Sequence, residues 1–143
     1  MTSRVLVTGA GGPAGIAVIR SLLRRTDLEV LAADMDGWAS GLYLVPAPRR
    51  RLVPPGTSAE FVPALAAMVR EDGIDVVVST VDVELLALGP RRGELRPAVL
   101  AAPSEATIAV ALDKLALAER CRGHVNVPRT AGLAEALAIQ DWR

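Results

Sequence analysis

A single cysteine, Cys121, and a single histidine, His124, leave this chain with little redox or metal chemistry. One thiol cannot close an intrachain disulfide or build a thiolate metal cluster, and one imidazole does not make the usual catalytic zinc site. An excess of charge of either sign is also lacking: 16 basic and 16 acidic residues sum to zero. That removes the electrostatic drive toward nucleic acid or an anionic membrane surface. Aromatic residues make up 3% of the chain, too few for base-stacking platforms, and Arg49-Arg50-Arg51 is the one local basic cluster. Long apolar runs are absent too. No stretch approaches the length of a membrane span. Gly9 to Pro13 interrupt the apolar segment after Arg4 before it could serve as the core of a secretory leader. A cytoplasmic chain with neither nucleic-acid nor membrane partner is expected.

What is present is apolar and periodic. At 51% hydrophobic residues in 143, the chain can bury a core without disulfide or metal support. Val5-Leu6-Val7 reads as a strand covered on both faces, ending at Thr8. Ile16, Ile19, Leu22 and Leu23 then follow helical spacing to Arg25. Glu29 to Asp34 is a second strand ending in an acid, and Trp38 to Pro48 reads as loop. Arg50 to Val53 is a short third strand. Ser58 is placed to cap a helix carrying Phe61, Leu65, Met68 and Val69 and stopping near Gly73. Asp75 to Ser79 is a fourth strand, with a helix from about Val83; Ala98 to Ala102 is a fifth. Ser104 caps a short helix, and Asp113 to Arg122 forms another. Alternation of this kind predicts an α/β fold, doubly wound, with a mainly parallel Rossmann-like sheet of about five strands in the order 3-2-1-4-5. A C-terminal helical extension completes it.

The first strand breaks into glycines at the point where such a fold binds ligands. The pattern G-x-G-x-x-G fails because its third position falls on Ala14. Thr8, Gly9, Gly12 and Gly15 instead satisfy T-G-x-x-G-x-x-G. That pattern resembles the short-chain dehydrogenases, and Asp34 lies near the spacing of their ribose-binding acid. Their catalytic pair, Tyr-x-x-x-Lys, does not follow: Tyr43 is the only tyrosine, and Ala47 stands four residues on. Dehydrogenase chemistry of that type is excluded, although a dinucleotide-binding role is not. Nor is a purely structural turn.

From Asp113 the chain reads "DKLALAERCRGHVNVPRT". An Asp-Lys pair, an amphipathic helix, a break, and then Val125 to Thr130 resemble the junction in ATP-grasp ligases like the carbamoyl-phosphate synthase large subunit. There a Rossmann-like pre-ATP-grasp domain precedes the nucleotide-binding fold. The glycine turn, "RRRLVPP" and "GIDVVVSTVDVELLAL" match upstream in order, so the resemblance covers essentially the whole chain. It implies a pre-ATP-grasp domain over residues 1–111 and the start of an ATP-grasp domain over 112–143. It also implies a parent enzyme that activates a carboxylate with ATP as an acylphosphate and joins it to an amine or thiol nucleophile. Lys114, the one lysine among the 16 cations, takes the role of a phosphate-contacting residue for ATP. A solvated helix lysine, with Asp113 as its N-cap, is the plain alternative. The parent's ATP and magnesium are not expected to bind tightly to these residues alone, which should be inactive without the rest of the ATP-grasp domain. An apolar face left by that missing partner would favour a homodimer.

The same resemblance turns the glycine loop toward a small-molecule acceptor. Gly9, Gly11, Gly12 and Gly15 are its candidate contacts, with main-chain amides offered to a carboxylate or phosphate. Asp82 and Glu84 stand at the same sheet edge and could orient an amine, while Asp34 and Asp36 frame the other side of the pocket or are plain solvated loop acids. Asp82 and Glu84 also suit the positive start of a helix, which needs no ligand. His124 reads as a surface residue, Cys121 as core, and Trp38 and Trp142 have no assigned role. Two other functions stay open: an NAD(P)-binding Rossmann domain working with another chain, and a non-catalytic interaction domain.

Overall fold

The computed structural model of the chain describes residues 2–139. Among them, strands β1 (Ser3–Thr8), β2 (Leu28–Asp34), β3 (Arg50–Leu52), β4 (Val76–Ser79) and β5 (Val99–Leu100) form one sheet in the order β3-β2-β1-β4-β5. Every pairing is parallel. The strands are apolar without alternation because both faces of the sheet are covered. Val5, Val7, Val30 and Ala32 face one layer, where they pack with Ile19 of helix α1 (Pro13–Leu22). Leu6, Leu31, Ala33 and Val77 face the other, with Phe61, Leu65 and Val69 of α2 (Phe61–Asp72) and Leu88 of α3 (Asp82–Leu88). Fully burying side chains such as Leu6 or Phe61 contributes roughly 1.5–3 kcal/mol each. The two layers together dictate the doubly wound arrangement expected from the sequence.

Local differences have identifiable causes. Helix α1 starts at Pro13, not Ile16, because proline at the first helical position lacks only an N–H that would be unpaired there anyway. It ends before Arg25, at Leu22. The Trp38–Pro48 loop contains two 3-10 turns, Ser40–Leu44 and Ala47–Arg49. Ser58 does not cap α2. Its hydroxyl accepts from the Glu60 amide at 3.2 Å and its carbonyl from Phe61, so the helix begins after Glu60 with no side-chain cap. Helix α3 begins at Asp82, and β5 shrinks to two residues, its neighbours Ala98 and Ala101 still bonding to adjacent main chain.

The chain divides into two compact units, Met1–Pro103 and Ser104–Arg143. Helices α4 (Glu105–Leu112) and α5 (Lys114–Cys121) meet at Asp113, which ends one helix and caps the next. Asp113 Oδ1 accepts from the amides of Leu115 and Ala116 at 2.9 and 3.0 Å, and Ser104 caps α4 by accepting from Thr107. Within the second unit α6 (Leu133–Ala138) leaves Leu133 and Leu137 exposed. Cys121 is half-buried rather than core, and His124 is exposed as expected. Trp142 lies outside the described residues. No helix among the described residues is long and apolar enough to cross a membrane.

Candidate functional site

The carboxyl ends of β1, β2 and β4 open onto a cleft of about 420 Å³, within the size range of small-molecule sites. Gly9, Gly12, Pro13 and Ala14 form one wall, Asp34 and Met35 another. Pro55, Gly56 and Thr57, together with Thr80, Val81, Val83 and Glu84, complete the lining. Two glycines make the first wall possible. Gly9 has φ +67°, in the left-handed region, and a Cβ there would also lie 2.3 Å from Val81 Cγ2. Gly15 packs directly on the turn it follows: its Cβ would stand 2.2 Å from the Gly9 carbonyl oxygen. The turn is folded back against its own helix.

Beneath it, β1 and β4 end side by side on hydroxyl residues, with Thr8 paired to Ser79 across the sheet. Both hydroxyls donate to one oxygen, Glu84 Oε2, from Thr8 Oγ1 at 2.5 Å and Ser79 Oγ at 2.7 Å. The Glu84 residue is 6% exposed. Burial pushes its carboxyl above the usual carboxylate range; the two hydroxyl bonds oppose that, and the charge of Asp34 adds to it. Thr80 Oγ1 donates to the Thr8 carbonyl at 2.9 Å, with the Gly9 carbonyl at 3.2 Å. The strand ends beneath the cleft and the glycine turn are thus one hydrogen-bonded unit.

Asp34 organises the other rim. Its Oδ2 accepts from the Gly11 amide at 2.8 Å and its Oδ1 from the Asp36 amide at 3.0 Å; Asp36 Oδ1 then accepts from the Trp38 amide at 2.9 Å. Two successive carboxylates therefore splint the loop after β2 onto the glycine turn. The residue they end on, Trp38, is 85% exposed.

The sequence-derived candidates separate on this geometry. Gly9, Gly12, Asp34 and Glu84 line the cleft; Gly15 supports it from within α1. The amides of Gly11 and Gly12, read from the sequence as open anion donors, are engaged internally, with Asp34 and with the Gly9 carbonyl (3.2 Å). Asp82 is exposed and outside the cleft lining, because it is the first residue of α3 while Glu84, two residues on, falls on the inward side. Lys114 is exposed at the first residue of α5, in the second unit. Sequence reasoning gave no role to Ser79 and Thr80, and none to the Thr8 hydroxyl beyond that residue's place in the glycine motif. The available signal was that two apolar strands both end on a hydroxyl residue, at positions that parallel register sets side by side.

No family model and no curated protein matches the chain. Among solved structures it is similar to glycinamide-RNase-transformylase T from Mycobacterium tuberculosis, at 18% identity over 90% of this chain and 37% of that one, with a TM-score of 0.58. It also matches dTDP-glucose 4,6-dehydratase from Bacillus anthracis str. Ames in complex with NAD (16% identity, 65% and 35% covered, TM-score 0.46). A short-chain dehydrogenase/reductase from Burkholderia vietnamiensis matches at 17% identity over 96% and 90%, with a TM-score of 0.46. The chain spans about a third of the length of the transformylase and the dehydratase. At such identities the likeness to the transformylase is one of fold. By topology and cleft position, the chain is a Rossmann-like α/β fold.

Proposed function

We propose that this chain is the acceptor-binding part of an ATP-dependent ligase of the ATP-grasp type, and that its cleft takes a small molecule through a cationic amine. The carrying observation is the charge of the lining: Asp34 and Glu84 face the cleft, and among the described residues no arginine or lysine does. A phosphate set between two carboxylates is repelled, whereas an ammonium is attracted and can donate to their remaining lone pairs. With the Gly11 and Gly12 amides already engaged, the glycine turn shapes the wall more than it binds an anion. The fold likeness to a transformylase named for glycinamide, a compound that carries an amino group, supports the same class of acceptor.

In this reading the parent supplies ATP, and Lys114 is this chain's contribution to holding it. That residue is exposed beside an N-cap aspartate that is occupied by main-chain amides. Magnesium does not fit the described residues, which contain no group of three potential ligands.

Asp34 at the end of β2 also favours a second reading, a dinucleotide site in which this acid meets ribose hydroxyls. Calorimetry separates the two. Glycinamide should bind the wild-type chain, its N-acetyl derivative should not, and Glu84→Gln should weaken glycinamide by at least about tenfold. NAD(H) binding in the low micromolar range, with no response to glycinamide or ATP, would replace this reading with the dinucleotide one.

A further inference from the structure

The opposite edge of the sheet carries a second hollow, also about 420 Å³, lined by Arg4, Glu29, Leu31, Pro46, Pro48, Arg49, Arg51 and Asp72. Its charges come from the amino ends of β1, β2 and β3 and the last turn of α2, all within the first unit. Arg51 and Asp72 neutralise each other: Nε and Nη2 of the guanidinium donate to the two carboxylate oxygens at 2.8 and 2.6 Å. Arg51 Nη1 donates to the carbonyls of Pro48 and Arg50.

Glu29 is shared differently. Its Oε2 takes Arg4 Nε at 2.9 Å, and its Oε1 stands 3.2 Å from Arg49 Nε. One carboxylate thus holds two guanidinium groups, each by its inner nitrogen, and leaves one positive charge in excess. Arg4 Nη1 donates to the Asp72 carbonyl at 2.6 Å. Arg4 Nη2 and both Nη atoms of Arg49 have no hydrogen-bond partner among the described residues.

The acceptors around the hollow are in the reverse condition. The Pro46 carbonyl takes the Arg49 amide, the Pro48 carbonyl takes Arg51, and each carboxylate oxygen of Glu29 and Asp72 already faces a guanidinium nitrogen. Asp75, whose Oδ2 accepts from the Arg4 amide at 2.8 Å, is outside the lining. Proline at two wall positions adds no donor of its own. The hollow therefore offers guanidinium donors whose charge and fork geometry suit an oxyanion, with bound acceptors around them.

We propose that this hollow is a binding site for a phosphate-type oxyanion, bridged between the outer nitrogens of Arg4 and Arg49. The site is separate from the acidic cleft and does not depend on the ligase reading. The shared chemistry admits two sources, free phosphate and a phosphate monoester.

The test uses the full chain at low ionic strength. It follows arginine Nε–H signals by NMR and heats by calorimetry during titration with inorganic phosphate or glycerol 3-phosphate. Saturable binding with shifts at Arg4 and Arg49 is expected, and Arg49→Gln should weaken it at least about tenfold. Arg20→Gln, an equal charge change on the exposed side of α1, should leave it intact. Arg49→Lys, which keeps the charge and loses the fork, should fall between and guards against misfolding of the first variant. Tighter binding of glycerol 3-phosphate would point to a monoester, equal binding to free phosphate. Lack of saturation, an unchanged Arg49→Gln titration, or an equal loss in Arg20→Gln would overturn the proposal.

Discussion

The two edges of one sheet are built on opposite chemistry. At the carboxyl edge, glycines bring main chain into contact with main chain, and buried hydroxyls converge on a carboxylate. At the amino edge, long arginine side chains span the gaps and meet acids in half-exposed pairs. The first construction leaves little freedom, because each atom fills a position its neighbours require. The second is adjustable, because a guanidinium on a flexible stem can move and water can replace it. The same fold thus provides one edge that fixes shape and another that distributes charge.

Mutation should expose this contrast as a gradient. The largest effect is expected for Gly15→Ala, whose new methyl would meet the Gly9 carbonyl oxygen at 2.2 Å with only main chain to give way. A loss of about 3 kcal/mol in urea denaturation is expected, or failure to fold. A loss below that of a surface alanine substitution would break the comparison at its stiff end.

Next comes the pH response of Glu84. Burial raises its carboxyl above the ordinary glutamate range in the folded protein, so the folded state holds that proton more tightly than the unfolded state. Stability from this group is fully present below the unfolded value and is lost as pH rises through the raised folded value. Thermal melts of wild type and Glu84→Gln across this range should therefore diverge: the glutamine variant should gain relative to wild type as pH rises. A constant difference at every pH would mean that burial does not govern the group.

At the amino edge the effects should shrink. Arg51→Ala, which removes a half-buried bidentate partner of Asp72, should cost about 1 kcal/mol by denaturant melt. Asp27→Asn should leave the melting temperature unchanged, because its pair with Arg25 is exposed on both sides. A larger loss from Asp27→Asn than from Arg51→Ala would reverse the expected order within this edge.

Sheet order was readable from the sequence because continuous runs such as Val5-Leu6-Val7 and Val76-Val77-Val78 demand burial on both faces, and few topologies provide it. The glycine turn, Asp34 and Glu84 were readable as a cluster because topology alone brings strand ends to one edge. What the glycine amides do was not readable. Whether Gly11 donates outward or to Asp34 depends on side-chain placement 23 residues away, and spacing does not encode that. Ser58 misled for a related reason: a hydroxyl just ahead of a helical stripe suits a cap, but it equally suits the local turn it forms. The partners of the basic cluster at 49–51, Glu29 and Asp72, come from distant parts of the chain, so local sequence does not reveal them.

The splinted loop from Gly11 through Asp34 and Asp36 to Trp38 has a thermodynamic consequence. Folding has already ordered that rim, so a visiting molecule does not have to freeze it. Association at the acidic cleft should therefore show a small conformational entropy loss for the protein. Selectivity would then rest on how well a guest matches a preset mould.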